Sequence, residues 1–183
     1  FSDGDPSLAI YDKETAYIGY RLEHAFNEDL TLRQNFRYSY LDVNYQNLFG
    51  NSLTGQRTLN RTVYNAQPTL NAVALDTNLE YKFDTGPVSH TLLGGVDLQW
   101  QNLVNDTGTK AGTPLDIFNP IYNIGVTPAP ITTHLDQTQR QAGIYIQDQI
   151  ELARFRLTVG GRQDFITNDS GNIAYNNSNA LAQ

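Results

Sequence analysis

The chain of 183 residues contains no cysteine, and none of its apolar runs is long enough for a membrane-spanning helix. The lack of cysteine excludes thiol catalysis, disulfide bonds and cysteine-ligated metal sites. A spanning helix needs about 18 or more consecutive apolar residues, so a helical membrane protein is excluded too. Basic residues are few: 12 lysines and arginines are scattered among 19 acidic residues, for a net charge of -7. We therefore expect no nucleic-acid partner, since that requires clustered basic residues.

Motifs for chemistry are missing as well. The three histidines, His24, His90 and His134, are not spaced as metal ligands. No nucleophile elbow of the form GxSxG occurs, and no enzyme hypothesis rises above background. We predict no catalytic residue, no metal site and no cofactor. The opening segment FSDGDPSLAIYDKET lacks a basic region followed by an apolar stretch, which predicts a mature chain or an internal piece of an exported protein.

A period-two alternation of apolar and polar residues is the main signal in the chain. It is clear between residues 17 and 26, where the apolar positions are Ile18, Tyr20, Leu22, His24 and Phe26. The positions between them include Arg21 and Glu23. Such a segment predicts a β-strand with one face against an apolar phase and the other against water.

The same alternation predicts six strands, at about residues 15–27, 30–40, 73–83, 90–101, 142–152 and 155–165. Short turns are predicted at 27–29, 84–87 and 153–154. Composition predicts long loops at 44–59 and 102–138 and a low-complexity tail from Asn168. Pro68 is expected to mark a bulge or the end of a separate section, because proline cannot donate to a sheet ladder. Gln34 and Asp148 interrupt the apolar face.

Short turns thus alternate with long loops, as in an outer-membrane β-barrel. The predicted fold class is all-β, an antiparallel transmembrane barrel with its polar face toward the lumen. Charges on that face have three open roles: cross-strand pairs, contacts to a plug, or simple solvation of the wall. They are Arg21, Glu23, Arg33, Arg37, Asp76, Glu80, Lys82, Asp97, Arg162 and Asp164.

Three runs of the sequence resemble a known family. They are GYRLEHAFNEDLTLRQNFRYSYLDVNYQNLFG, ALDTNLEYKFDTGPVSHTLLGGVDLQWQ and QAGIYIQDQIELARFRLTVGGRQDF. They are similar to the barrel of TonB-dependent ferric-siderophore receptors of the hydroxamate, ferrichrome-type branch. In the third run, GxYxQDQ is followed by GGRxD, where Gln163 replaces the more usual tyrosine. The resemblance implies a 22-stranded barrel filled by an N-terminal plug. It also implies capture of a ferric siderophore outside the cell and import with energy passed on by TonB.

Six strands cannot close a barrel around a plug, because bacterial single-chain barrels begin at eight strands. We therefore expect residues 1–183 to be part of the barrel domain of a receptor, without its plug domain. The expected location is the outer membrane of a Gram-negative bacterium, with membrane lipid on the apolar face. TonB and the plug are expected partners through the rest of the receptor chain.

The family's logic places aromatic side chains at the upper wall and loop bases, where they can stack on a ferric chelate without removing its iron. Candidate ligand-binding residues are Tyr45, Phe49, Tyr64 and Tyr122. Packing of the loops is the alternative role for each. Two other functions stay open: a general outer-membrane porin or channel, and a soluble extracellular glycan-binding β-protein. The continuous apolar face disfavours the second of these.

The isolated chain is predicted to be insoluble as a monomer, because it would expose two unpaired sheet edges and a lipid-facing surface. Size-exclusion chromatography of residues 1–183 in detergent-free buffer checks this. We expect aggregation, and a monodisperse species would contradict the prediction.

Overall fold

The computed structural model describes the backbone of residues 2–174 and the side chains of residues 2–172. A short 3-10 helix at Pro6–Leu8 leads into six strands. Their bounds are β1 Ala9–Ala25, β2 Leu30–Thr54, β3 Thr58–Thr85, β4 Val88–Asp116, β5 Thr133–Leu152 and β6 Phe155–Ala174. Each strand pairs antiparallel with the next in a single sheet, so the six predicted strands and their short turns are confirmed. In the part of the chain described, no helix is long and apolar enough to cross a membrane.

The strands extend well beyond the predicted ends. β2 and β3 run through the predicted loop at 44–59 and meet at residues 55–57, where Gly55 and Gln56 have φ of 59° and 57°. β4 and β5 reduce the second predicted loop to residues 117–132, and β6 continues through 168–174. The remainder of the predicted tail, 175–183, lies outside the described residues. Composition misassigned these segments because ladder hydrogen bonds, which do not depend on side-chain polarity, hold them.

Pro68 marks neither a bulge nor the end of a section. It pairs with Asn105 of β4, while the β2–β3 ladder resumes on either side of it in the same register. The proline therefore interrupts the ladder only where β3 faces β2. The register shifts lie elsewhere, between Gly50 and Ser52 and between Leu59 and Arg61.

The strand registers keep two faces of the sheet separate. Tyr38, Val73 and Trp100 lie in one row across β2, β3 and β4, and the neighbouring row holds Arg37, Ala74 and Gln99. We call the face of Tyr38 the apolar face and the face of Arg37 the polar face. The apolar face is largely uncovered: Ile18 is 69% exposed and Phe165 is 60% exposed.

The two polar residues that interrupt the apolar face have partners on that face. Gln34 accepts a hydrogen bond from the Tyr20 hydroxyl at 2.6 Å and donates to Thr77 Oγ1 at 2.9 Å. Asp148 Oδ2 lies 2.8 Å from Nδ1 of His90. Such pairing reduces the cost of placing polar groups against an apolar phase.

A small core forms where the N-terminal segment and loop 117–132 pack on the long ends of β2, β3 and β4. Leu8, Leu48, Val63 and Ala129 are all buried there. Within the N-terminal segment, Asp5 accepts hydrogen bonds from Ser7 N at 2.9 Å and from Ser7 Oγ at 2.7 Å. Burial alone would raise the pKa of Asp5, but these bonds and one from Ile124 N hold it below its ordinary value.

Gly108 permits the close approach of loop 117–132 to β4, because a Cβ there would overlap the carbonyl oxygen of Pro130. We predict that Gly108→Ala lifts the loop, so that chymotrypsin cleaves it at Tyr122 at least tenfold faster than in the parent protein in detergent. The matched control is Gly94→Ala in the same strand, whose Cβ would meet its nearest atom at 3.9 Å. Equal cleavage of both variants would contradict the prediction.

Candidate functional site

The polar face carries an ion-pair network near the short-turn end of the sheet. Arg33 donates through Nε to Glu23 and through Nη1 to Glu80, both at 2.8 Å. Lys82 Nζ lies 3.6 Å from the other oxygen of Glu80. Opposite charges thus alternate across β1, β2 and β3. Of the three roles left open by the sequence, cross-strand pairing applies to Glu23, Arg33 and Glu80, whereas Lys82 contacts Glu80 within β3.

A second network lies farther along the polar face. Asp76 and Asp97 are directly opposite each other on β3 and β4, but each carboxylate has its own partner. The Tyr145 hydroxyl donates to Asp76 at 2.8 Å. Arg162 reaches Asp97 at 3.3 Å and Asp164 at 2.7 Å. Separate partners relieve the repulsion expected between two facing carboxylates.

Glycine makes room for this second network. A Cβ at Gly95 would lie 2.5 Å from Cζ of Tyr145 and 2.8 Å from the carbonyl oxygen of Thr77. Without that Cβ, the tyrosine ring reaches across β4 to Asp76. The guanidinium of Arg162 lies 5.8 Å from the centre of the same ring, a cation–π distance.

The alternation of apolar and polar residues reverses its phase beyond these networks, on the side away from the short turns. We call that direction up. In β2 the apolar residues lie at even positions up to Tyr40 and at odd positions from Leu41 through Val43 to Tyr45. In β3 and β4 the same switch brings Leu70 and Leu103 onto the polar face, directly opposite one another and next to Leu41. We call Leu41, Leu70 and Leu103 the leucine row. Above it, the polar face of β2 and β3 carries mainly apolar and aromatic residues, although Lys13 of β1 and Asn105 of β4 keep it partly polar.

Aromatic residues continue this surface beyond the leucine row. Tyr45 lies 6.0 Å from Tyr11 and 5.9 Å from Tyr64 between ring centres, in edge-to-face contacts. We call Tyr11, Tyr45 and Tyr64 the tyrosine cluster. Phe49 is on the same face of β2 and is 37% exposed. Three of the four predicted ligand residues thus share one face, although they lie in strands and not in a loop.

Tyr122 does not join the other three candidates. Its hydroxyl donates to the Ser2 carbonyl at 3.0 Å and accepts from Ser2 N at 3.1 Å. It therefore ties loop 117–132 to the N-terminal segment, which packs against Leu48 and Val63 on the opposite face of the strands. This contact fits the packing role that the sequence left open for it.

Sequence reasoning missed Tyr11 and the leucine row. Tyr11 precedes the predicted start of β1. The leucines are at or beyond the predicted strand ends, because the phase reversal resembles the end of a strand. The available signal was that strict alternation persists through residues 38–45 with its phase shifted by one.

The protein family described as "TonB dependent receptor-like, beta-barrel" matches residues 1–181. The chain belongs to this family. Two curated members resemble it over most of its length. The ferrioxamine B receptor of Salmonella typhimurium SL1344 is 34% identical over 171 residues, which cover 91% of this chain and 24% of that protein. The ferrichrome outer membrane transporter/phage receptor of Escherichia coli K12 is 28% identical over 188 residues, which cover 88% and 25%.

The fold of this TonB-dependent receptor chain agrees with a solved structure. The ferric-catecholate import receptor Fiu from Escherichia coli K12, in its closed form, superposes with a TM-score of 0.77 at 20% identity, covering 94% of this chain and 31% of that one. The chain therefore has the antiparallel sheet of a barrel wall. It spans about a quarter of the length of the curated relatives named above.

Gly95→Ala tests the packing of the polar-face network in this barrel segment. The new methyl would displace Tyr145 and break its bond to Asp76, and overpacking of this kind lowers the free energy of unfolding by about 1 to 3 kcal/mol. Urea titration of the receptor in lipid vesicles measures the change. The control is Gly161→Ala, whose Cβ would have no atom within 4 Å. Equal midpoints for the two variants would refute this role of Gly95.

Proposed function

We propose that the chain is part of the barrel wall of an outer-membrane receptor that takes up ferric siderophores of the hydroxamate class with energy from TonB. The receptor lies in the outer membrane of a Gram-negative bacterium. A plug domain and the segment that contacts TonB belong to the rest of the receptor chain. The observation that carries this proposal is the phase reversal, which changes both faces of the sheet at one level.

Below the reversal, the apolar face has the height of a lipid-facing band. Phe83, stacked on His90 with ring centres 4.7 Å apart, lies at one boundary. Val73, opposite Trp100, lies at the other. The ten steps from Val73 to Phe83, at about 3.4 Å each and tilted by about 40°, span roughly 26 Å, close to the apolar band of outer-membrane barrels.

Above the reversal, the outer surface turns polar. Asp42 accepts from Thr69 Oγ1 at 2.8 Å, and Asn102 donates to Asp136 at 2.7 Å. These pairs suit water or lipid headgroups. On β2, β3 and part of β4 the inner surface gains an apolar patch at the same level, and an apolar patch facing a water-filled lumen suits a bound ligand. A general porin lets solutes diffuse through its lumen and needs no apolar binding patch there. This observation therefore favours a receptor over a porin.

The chemistry of the inner patch suits a hydroxamate chelate. The relatives are named for ferrioxamine and ferrichrome, whose hydroxamate groups complete the coordination of ferric iron. Such a chelate presents oxygen atoms and methylene chains on its surface. Tyrosine hydroxyls can bond to the oxygens, while tyrosine rings and the leucine row can pack on the methylene chains. The iron stays with its chelator.

Tyr45→Ala in the complete receptor tests the proposal. Removing the central ring of the tyrosine cluster should weaken binding of ferric ferrioxamine B about tenfold, or about 1.4 kcal/mol. Equilibrium binding of the radioactive iron complex measures the effect. The control is Tyr40→Ala, which removes the same side chain from the opposite face of β2. Lack of chelate binding by the parent receptor, or equal affinities of the two variants, would overturn the proposal.

A further inference from the structure

We propose that Arg37 and its neighbouring glutamines form a subsite for a carboxylate group of the bound ferric chelate. This inference rests on the proposed function and specifies its substrate: a siderophore, or siderophore conjugate, with a free carboxylate on a flexible arm. The subsite lies on the polar face immediately below the leucine row.

The register builds a cavity at this level from two adjacent rows. Arg37 is opposite Ala74, which is opposite Gln99. In the next row Ser39 is opposite Ala72. The two alanines form a low floor, and longer side chains rise around it. The cavity measures about 200 Å³, and its polar lining residues are Arg37, Ser39, Gln99, Gln101, Gln139 and Gln141.

Arg37 carries the only formal charge in this lining. Within residues 2–172, it forms no ion pair, whereas Arg33 and Arg162 on the same face each contact two carboxylates. Its neighbour on β1 is Gly19 and its neighbour on β3 is Ala74, so no bulky side chain covers it. The guanidinium is exposed, and no carboxylate among the described side chains pairs with it.

Asp76 is the nearest acidic residue by register, one step diagonal to Arg37 on β3. Its Oδ2 accepts from Tyr145 at 2.8 Å and its Oδ1 accepts from Asn78 at 2.9 Å. The second network thus holds Asp76 and leaves Arg37 available to a ligand.

The glutamines supply further donors without adding charge. Gln101 donates to Gln139 at 2.7 Å, Gln99 to Asp97 at 3.1 Å and Gln141 to Asp164 at 3.3 Å. Each amide nitrogen carries two hydrogens, so one N–H per glutamine remains for a guest. One guanidinium balances one negative charge and matches the planar fork of a carboxylate. A dianionic phosphate would be left with an unbalanced charge.

The location suits an arm that extends from a chelate seated higher in the lumen. Leu41 is four residues above Arg37 on β2, roughly 13 Å along the strand. A chelate that contacts the leucine row and the tyrosine cluster can therefore place a short carboxylate arm at Arg37. Long-range attraction between the unpaired guanidinium and an anionic chelate should also weaken as salt concentration rises.

Two ferric complexes of one chelator test the subsite in the complete receptor. N-succinyl-desferrioxamine B ends in a carboxylate, and N-acetyl-desferrioxamine B ends in a methyl group. We expect the succinyl complex to bind at least fivefold more tightly at low salt. Arg37→Gln should abolish that preference and leave affinity for the acetyl complex within twofold of the parent. Arg21→Gln, which removes a charge from the same face outside the cavity, should retain the preference.

Binding of the acetyl complex also reports that each variant is folded. Arg37→Lys, which keeps the charge but loses the fork, should give an intermediate preference. Equal affinity of the parent receptor for the two complexes, or a preference that survives in Arg37→Gln, would overturn the subsite while leaving the proposed function in place. Binding of neither complex by the parent would overturn the proposed function and the subsite with it.

Discussion

The register of the five strand ladders is the constraint on which the rest of the molecule depends. Side chains alternate between faces, so a slip of one residue in any ladder would move its whole set of side chains to the wrong face. Each row would then mix charged and apolar groups. In the observed register, Arg33 meets Glu23 across β1 and β2, while Tyr38 meets Val73 across β2 and β3. Ion pairing on one face and apolar packing on the other favour the same register.

The large accessible surface of the sheet supports the prediction that the isolated chain is not stable in water. Its accessible surface is 12204 Å², against about 8,900 Å² for a compact protein of its mass. The uncovered apolar face contributes to this excess, as the exposure of Ile18 and Phe165 shows. The small core around Leu48 and Val63 covers only the upper ends of three strands. Further contacts from outside these six strands would cover that surface, which agrees with membership of a barrel family.

Most of the lower sheet could be predicted from the sequence, and most of the upper sheet could not. Below Tyr40, the two faces keep opposite polarities, so the period-two pattern is clear and predicts both the strands and their faces. Above it, Asp42 lies on the otherwise apolar face and Leu41 lies on the polar face. This phase reversal resembles a strand end, so β2 was predicted about fourteen residues too short. Tyr122 could not be assigned either, because its contact with Ser2 joins segments far apart in sequence.

The placement of the candidate site on strands has a consequence for binding. Tyr45, Leu41 and Arg37 are carried by one strand whose ladders run unbroken to β1, so their spacing is fixed before a ligand arrives. Loop-borne residues would have to be ordered on binding, and that ordering lowers affinity. The networks below connect neighbouring strands of the wall. The hydroxyl of Tyr145 donates to Asp76, so Asp76 does not pair with Arg37. The proposed Arg37 subsite thus depends on the hydrogen bond between Tyr145 and Asp76 beneath it, and Gly95→Ala should alter that subsite as well by freeing Asp76.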